Sequence, residues 1–148
     1  MSVDPTADYP LGSRRPDLVT TPGGLRLDEL TLDALEAGRL SAEEMRATPE
    51  TLRRQAAVAL ASGRPALAEN LERAAELAGV PAEVILEIYT ALRPRRTSAA
   101  ELERWAARLE ADWGATLTAA FVREAAAVYA ERGLLTMVDE QAETPAAV

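Results

Sequence analysis

The side chains that most often do chemistry are missing from this chain. Its 148 residues contain no His and no Cys. That removes the usual general base, the commonest metal ligand, disulfides and thiolate metal sites. Carboxylates, arginines and a few aromatics remain. Carboxylate pairs such as Glu43/Glu44 and Glu101/Glu103 are plentiful, but with 24 Asp and Glu residues such pairs arise by coincidence. Acid–base catalysis needs two of them desolvated and aimed across a cleft, and no pattern here does that. Arg93, Arg95 and Arg96 form a basic corner around Pro94. Guanidinium forks match planar anions, so the corner suits an anionic ligand, a protein interface or plain solubilisation. Trp105, Trp113, Phe121 and Tyr129 fall at helical spacing. Core packing is their default role, with interface anchoring by Trp105 and Trp113 as the alternative. A helix-turn-helix is a further candidate, with Ala75, Gly79, Val80 and Ile85 at its small, turn and buried positions. Its second helix would bring Glu83 and Glu87 close to phosphates, whereas base readout wants Arg, Lys, Asn or Gln. A plain helical hairpin is the better reading.

The elements that position these residues read as mainly α. The densest apolar patterning runs from Asn70 to Pro94. One helix closes at Gly79 and the next opens at Pro81, the usual places for a stop Gly and a start Pro. The second helix turns Val84, Ile85, Ile88 and Leu92 inward. Leu86 and Tyr89 widen its apolar face beyond what one neighbour covers. Residues 1–27 read as an irregular, extended N-terminal arm, because Pro5, Pro10, Pro16, Pro22, Gly12, Gly23 and Gly24 interrupt any helix. Tyr9, Leu11, Leu18, Val19, Leu25 and Leu27 make it more apolar than a disordered tail. It packs on its own domain, on a neighbouring subunit, or on both.

Residues 28–136 are expected to form a compact multi-helix domain. Thr31 caps Leu32–Ala37. Ser41-Ala-Glu-Glu44 is a capping box, in which the hydroxyl takes the N–H three residues on and the Glu reaches back. Thr48-Pro49 opens a helix to Ser62 with Leu52, Ala56, Ala59 and Leu60 on one face. Pro65 opens another with Leu67, Leu71, Ala74 and Ala78. A second capping box, Ser98-Ala-Ala-Glu101, starts a stripe of Leu102, Trp105, Leu109, Trp113, Leu117, Phe121 and Val128. Gly114 lies inside that stripe and costs ~1 kcal/mol in a helix. Two segments with a break there are expected, and one long helix is the alternative. Gly133 ends the last segment, and residues 137–148 read as an acidic flexible tail. No fixed-period repeat is present.

Composition sets the remaining bounds. Hydrophobic residues are 48% of the chain, but aromatics are 4% and much of the rest is alanine. Alanine favours helix, yet each buries one methyl, and burial contributes only ~0.8 kcal/mol per CH₂-sized group. Such helices form readily and need a larger partner to finish burying their faces. A net charge of −8 disfavours nucleic-acid binding. No apolar run reaches membrane-spanning length, and no signal peptide is apparent. The leader before Tyr9 is short and not amphipathic, so no targeting helix is read there. A soluble cytoplasmic protein is expected.

Several blocks taken in order carry a family resemblance. They are Asp8-Tyr-Pro-Leu11, Thr21-Pro-Gly-Gly24, Leu30-Thr-Leu32 with Gly38, Gln55-Ala56 and Arg73-Ala-Ala-Glu-Leu77. They continue with Pro81-x-Glu83-x-Ile-Leu-x-Ile-Tyr-x-Ala-Leu-Arg-Pro94, Ser98, Trp113-x-Ala-Thr116, Ala119-Ala-Phe-Val-Arg-Glu124 and Val128-Tyr129. Over about residues 8 to 136 the chain resembles the small subunit of adenosylcobalamin-dependent diol/glycerol dehydratases. The resemblance implies a hetero-oligomer with large and medium subunits, two copies of each. It places substrate and a metal ion in the large subunit's barrel and cobalamin between the large and medium subunits. The implied reaction removes water from a 1,2-diol such as propanediol, or from glycerol, by radical chemistry to give an aldehyde. No catalytic, cofactor-binding or metal residue carries over to this chain. The expected subunit interface comprises Tyr9, Leu11, Leu86, Tyr89, Arg93, Arg95, Arg96, Trp113 and Phe121. The alternative is a small helical regulator that binds DNA or protein through the Gly79 hairpin or the arginine corner.

Overall fold

The computed structural model describes residues 4–136, so the expected tail at 137–148 lies outside the described residues. Among those residues there are seven α-helical segments and no strand, only an isolated antiparallel bridge between Thr20 and Arg26. The mainly-α class follows. The chain divides into two compact units, one up to Gly79 and one from Val80 onward. The boundary falls inside the Asn70–Pro94 stretch, so its two helices belong to different units.

The first unit begins irregularly, as expected, but prolines start turns here more than they prevent them. Pro10 precedes α1 (Leu11–Arg14) and Pro16 opens a 3₁₀ turn, Pro16–Leu18. Proline's fixed φ suits the first position of a helical turn, where no N–H is needed. A second 3₁₀ turn spans Leu27–Glu29. Two long-range contacts hold the segment down. The Arg54 guanidinium donates to the Leu18 carbonyl, and the Glu44 carboxylate accepts from the Gly23 N–H at 3.2 Å. The second contact corrects the Ser41 capping box. The Ser41 hydroxyl does accept the Glu44 N–H, at 3.4 Å, but the Glu44 side chain goes to Gly23 instead of back to Ser41, and residues 42–45 form turns rather than a helix.

Thr31 caps α2 (Leu32–Glu36) and Thr48 caps α3 (Pro49–Ala61), each hydroxyl accepting an N–H three residues on at 3.2 Å. Gly63 ends α3 in the left-handed region at φ 70°, which lets the Arg64 N–H reach the Ala59 carbonyl at 2.9 Å. The chain then doubles back as α4 (Pro65–Leu77). Ala56, Ala59 and Ala68 form the seam between α3 and α4, with Leu71 packed against them. The register differs from the expected one. Ala68 and Ala75 are buried on α4, while Leu67 on α4 and Leu60 on α3 are exposed. Small residues let two helices approach closely, so alanine takes the seam and the neighbouring leucines turn outward.

The second unit contains α5 (Ala82–Ala91), α6 (Ala99–Trp113) and α7 (Thr116–Glu131). The Ser98 hydroxyl caps α6, accepting the Glu101 N–H at 3.3 Å. Gly114 sits at φ 64° and ends α6, so the two-segment expectation holds and the single long helix does not occur. Leu102, Leu109 and Val122 are the largest fully buried side chains, accompanied by Ala106, Ala115 and Ala119. The predicted stripe therefore stops at the break. Beyond it Ala115, Thr118, Ala119 and Val122 face in, and Leu117 and Phe121 are exposed. Reversal at Gly114 presents a new face of α7, which a continuous 3.6-residue phase does not anticipate. On α5, Val84, Ile88 and Ala91 are buried.

Candidate functional site

Two apolar surfaces carry the predicted interface residues, one in each unit. In the first, Tyr9 and Leu11 line an open groove of about 680 Å³ together with Val19, Leu27, Val58, Leu67 and Leu71. Tyr9 is exposed and Leu11 half-buried. Thr51, Gln55 and Arg64 also line it. The irregular segment, held through Arg54 and Glu44, supplies one wall of the groove and the α3–α4 pair the other.

In the second unit, Leu86 and Tyr89 stand on the outer side of α5, 65% and 59% exposed. They lie three residues apart, so they are neighbours on one helical stripe. Beside them Leu86, Glu87, Thr90, Ala91, Arg96, Glu101 and Trp105 surround a hollow of about 540 Å³. Arg93, Arg95 and Arg96 follow the end of α5, all exposed. The corner has a defined backbone. Arg95 is in the left-handed region at φ 59°, and its N–H donates to the Leu134 carbonyl at 2.7 Å. The Tyr129 hydroxyl donates to the Leu92 carbonyl at 2.5 Å. Trp113 is half-buried. The Arg108 guanidinium lies over the rings of both Trp105 and Trp113, 5.3 and 5.4 Å from their centroids, so these indoles hold a cation between them. Phe121 is exposed on α7.

The strongest polar cluster is one that sequence reasoning missed. Arg123 of α7 donates from both terminal nitrogens to the Glu110 carboxylate at 2.6 and 2.9 Å, and from Nε to Glu103 at 3.0 Å. The Arg123 guanidinium holds the Glu110 carboxyl below the usual carboxylate range, and the two carboxylates push Arg123 still higher. This is a staple between α6 and α7. The only sequence signal was Glu103 and Glu110 seven residues apart on one helix face. The supposed Glu101/Glu103 pair is separated: Glu101 lines the hollow and Glu103 meets Arg123.

Nothing in this arrangement resembles an acid–base centre. The Asp4 carboxyl is held low by backbone N–H groups of Ala7 and Thr6, Asp17 by Arg15, and Asp28 by Arg26. That direction keeps each charged, opposite to what a general acid at neutral pH requires. Among the described residues no group of three metal-ligating side chains comes together, and no helix is long and apolar enough to cross a membrane. Glu83 and Glu87 are exposed on α5, the helix a DNA-reading hairpin would use.

The surfaces are chemically suited to docking. Alanine dominates the buried apolar residues, while Tyr9, Leu67, Leu86, Tyr89, Leu117 and Phe121 are exposed. Several large apolar side chains are thus left uncovered beside a core of Leu102, Leu109, Ile88, Val122 and alanines.

Comparison with known proteins gives two findings. The family model described as dehydratase small subunit matches residues 5–136. The propanediol dehydratase small subunit of Citrobacter freundii is 51% identical over 125 residues, covering 84% of this chain and 73% of that protein. The propanediol dehydratase small subunit of Salmonella typhimurium (strain LT2) is 50% identical over 126 residues, covering 85% and 73%.

Proposed function

The chain belongs to the dehydratase small subunit family, and from that premise we propose that it is the assembly subunit of a coenzyme-B12-dependent diol or glycerol dehydratase. In this role it docks on large and medium subunits, two copies of each, and completes a complex that turns 1,2-propanediol or glycerol into an aldehyde. The observation that carries the assembly role is that alanine supplies most of the buried apolar residues, while Tyr9, Leu86, Tyr89 and Phe121 stand exposed. Tyr9 and Leu11 form one docking surface; Leu86, Tyr89, Arg93, Arg95 and Arg96 form the other, with Trp113 and Phe121 contributing from α6 and α7.

Among the described residues of this chain no side-chain cluster fits the metal ion that the family implies. The chain also has no imidazole or thiolate, common ligands of a transition metal. In the proposed complex the metal ion and cobalamin are held by the partner subunits.

The test is co-expression of this chain with candidate large and medium subunits. A single co-purifying complex with adenosylcobalamin-dependent dehydratase activity is expected. Assembly and activity that are unchanged when this chain is omitted would overturn the proposal.

A further inference from the structure

We propose that the outer face of α5 and the arginine corner behind it dock a partner-subunit surface that is apolar at its centre and acidic at its edge. This rests on the assembly role just proposed and adds the partner's chemistry. Arg93, Arg95 and Arg96 lie within four residues, and all three are exposed. None forms an ion pair with a described carboxylate, although Arg15, Arg26, Arg46, Arg108 and Arg123 each do. In a chain of net charge −8, three guanidiniums with no described carboxylate as partner are a local exception to the overall field.

The corner is also built rather than loose. Arg95 occupies a left-handed conformation that a bulky side chain rarely adopts, and the Leu134 carbonyl holds it there. The Thr136 N–H donates to the Thr97 carbonyl at 2.9 Å, fixing the residue that follows Arg96. Plain solubilisation requires no such anchoring. An observed backbone outlier of this kind points to a functional constraint.

The adjoining surface sets the rest of the partner's chemistry. Leu86, Ala91 and Trp105 give the hollow an apolar wall. Glu87 and Glu101 also line it, with Arg96 at its edge, so the hollow is no anion pocket and its apolar wall takes an apolar side chain. Carboxylates of the same partner then meet the guanidiniums, where bidentate, charge-assisted bonds are available. A chain of net charge −8 is repelled by an acidic surface at a distance, so docking on one needs a local basic patch of this kind.

The test uses the full chain and the large–medium subcomplex. Association is measured between about 50 and about 500 mM salt, a range over which surface charges become screened. For the unaltered chain, affinity is expected to fall about tenfold or more across that range. The triple variant Arg93→Gln, Arg95→Gln, Arg96→Gln is expected to bind about tenfold more weakly at low salt and to lose most of the salt dependence. A triple Lys variant keeps the charge and is expected to retain the salt dependence. Circular dichroism of each isolated variant checks that it is folded. If the unaltered chain associates and the folded Gln variant matches it in affinity and salt dependence, this inference fails while the assembly role stands. If the unaltered chain associates at no salt concentration, both fail. One further outcome overturns the inference: equal loss of thermal stability on the Gln substitutions and on truncation after Thr136, with association unchanged. That result would assign the corner to the chain's own acidic segment at 137–148.

Discussion

Arg123 shows what a single residue does in a fold with few large buried side chains. It reaches from α7 to Glu110 and Glu103 of α6, tying together two helices whose buried residues are Leu102, Leu109 and Val122 among smaller side chains. The Glu110 carboxyl is lowered in the folded chain by Arg123. A lowered carboxyl stabilises the fold above its unfolded pKa, and that contribution is lost as pH falls through the folded value. Glu110→Gln is therefore expected to lower the melting temperature at neutral pH. The gap to the unaltered chain should close on the acid side, below the ordinary carboxylate range. The groups are more than a third exposed, so salt screens the pair and the drop should be a few degrees at most. Arg123→Ala removes both partners and should cost more than Glu110→Gln. Thermal scans across pH check both; a gap that widens toward acid would contradict the assignment. The sequence displays these carboxylates only as a charged helix face. Their partner lies across a turn whose geometry the pattern does not specify.

At the scale of elements, local signals were legible and relative phase was not. Thr31, Thr48 and Ser98 cap their helices as expected, because a cap is satisfied within three residues. The Ser41 box failed in its second half, since the N–H of Gly23 offered Glu44 a competing partner. On α4 the buried register moved from Leu67 to Ala68 because closeness of approach, not side-chain size, decides which face enters the seam. Gly114 decides the α6–α7 reversal. A Cβ there meets no atom within 4 Å, so Gly114→Ala tests backbone conformation alone. The left-handed φ is expected to cost the alanine variant about 1 kcal/mol, with Gly114→Asn costing less. Chemical unfolding of both variants measures this. An alanine variant as stable as the parent would show that the turn relaxes without strain.

For the whole molecule, the sequence made the class and the family legible. It also indicated a surface seeking a partner, because an alanine-rich, aromatic-poor composition does not fill a core. The contacts that would complete the proposed docking surfaces were not legible, since in the proposed assembly their other half lies in different chains. This yields a contrast between exposed and buried positions. Tyr89→Ala removes an exposed ring, so the isolated chain should keep its stability to within about 0.5 kcal/mol, and Phe121→Ala, at a partly exposed ring, should cost less than a core truncation. Leu102→Ala empties a fully buried position and should cost about 2–5 kcal/mol. In co-expression, the Tyr89 and Phe121 variants are expected to lower the yield of assembled complex several-fold, while turnover per assembled complex stays unchanged. The Leu102 variant should lose the complex by losing the fold, which thermal unfolding of the isolated chain separates from a docking defect. A Tyr89 or Phe121 variant that assembles normally and yet loses turnover would mean that this chain takes part in the chemistry and does not merely complete the assembly.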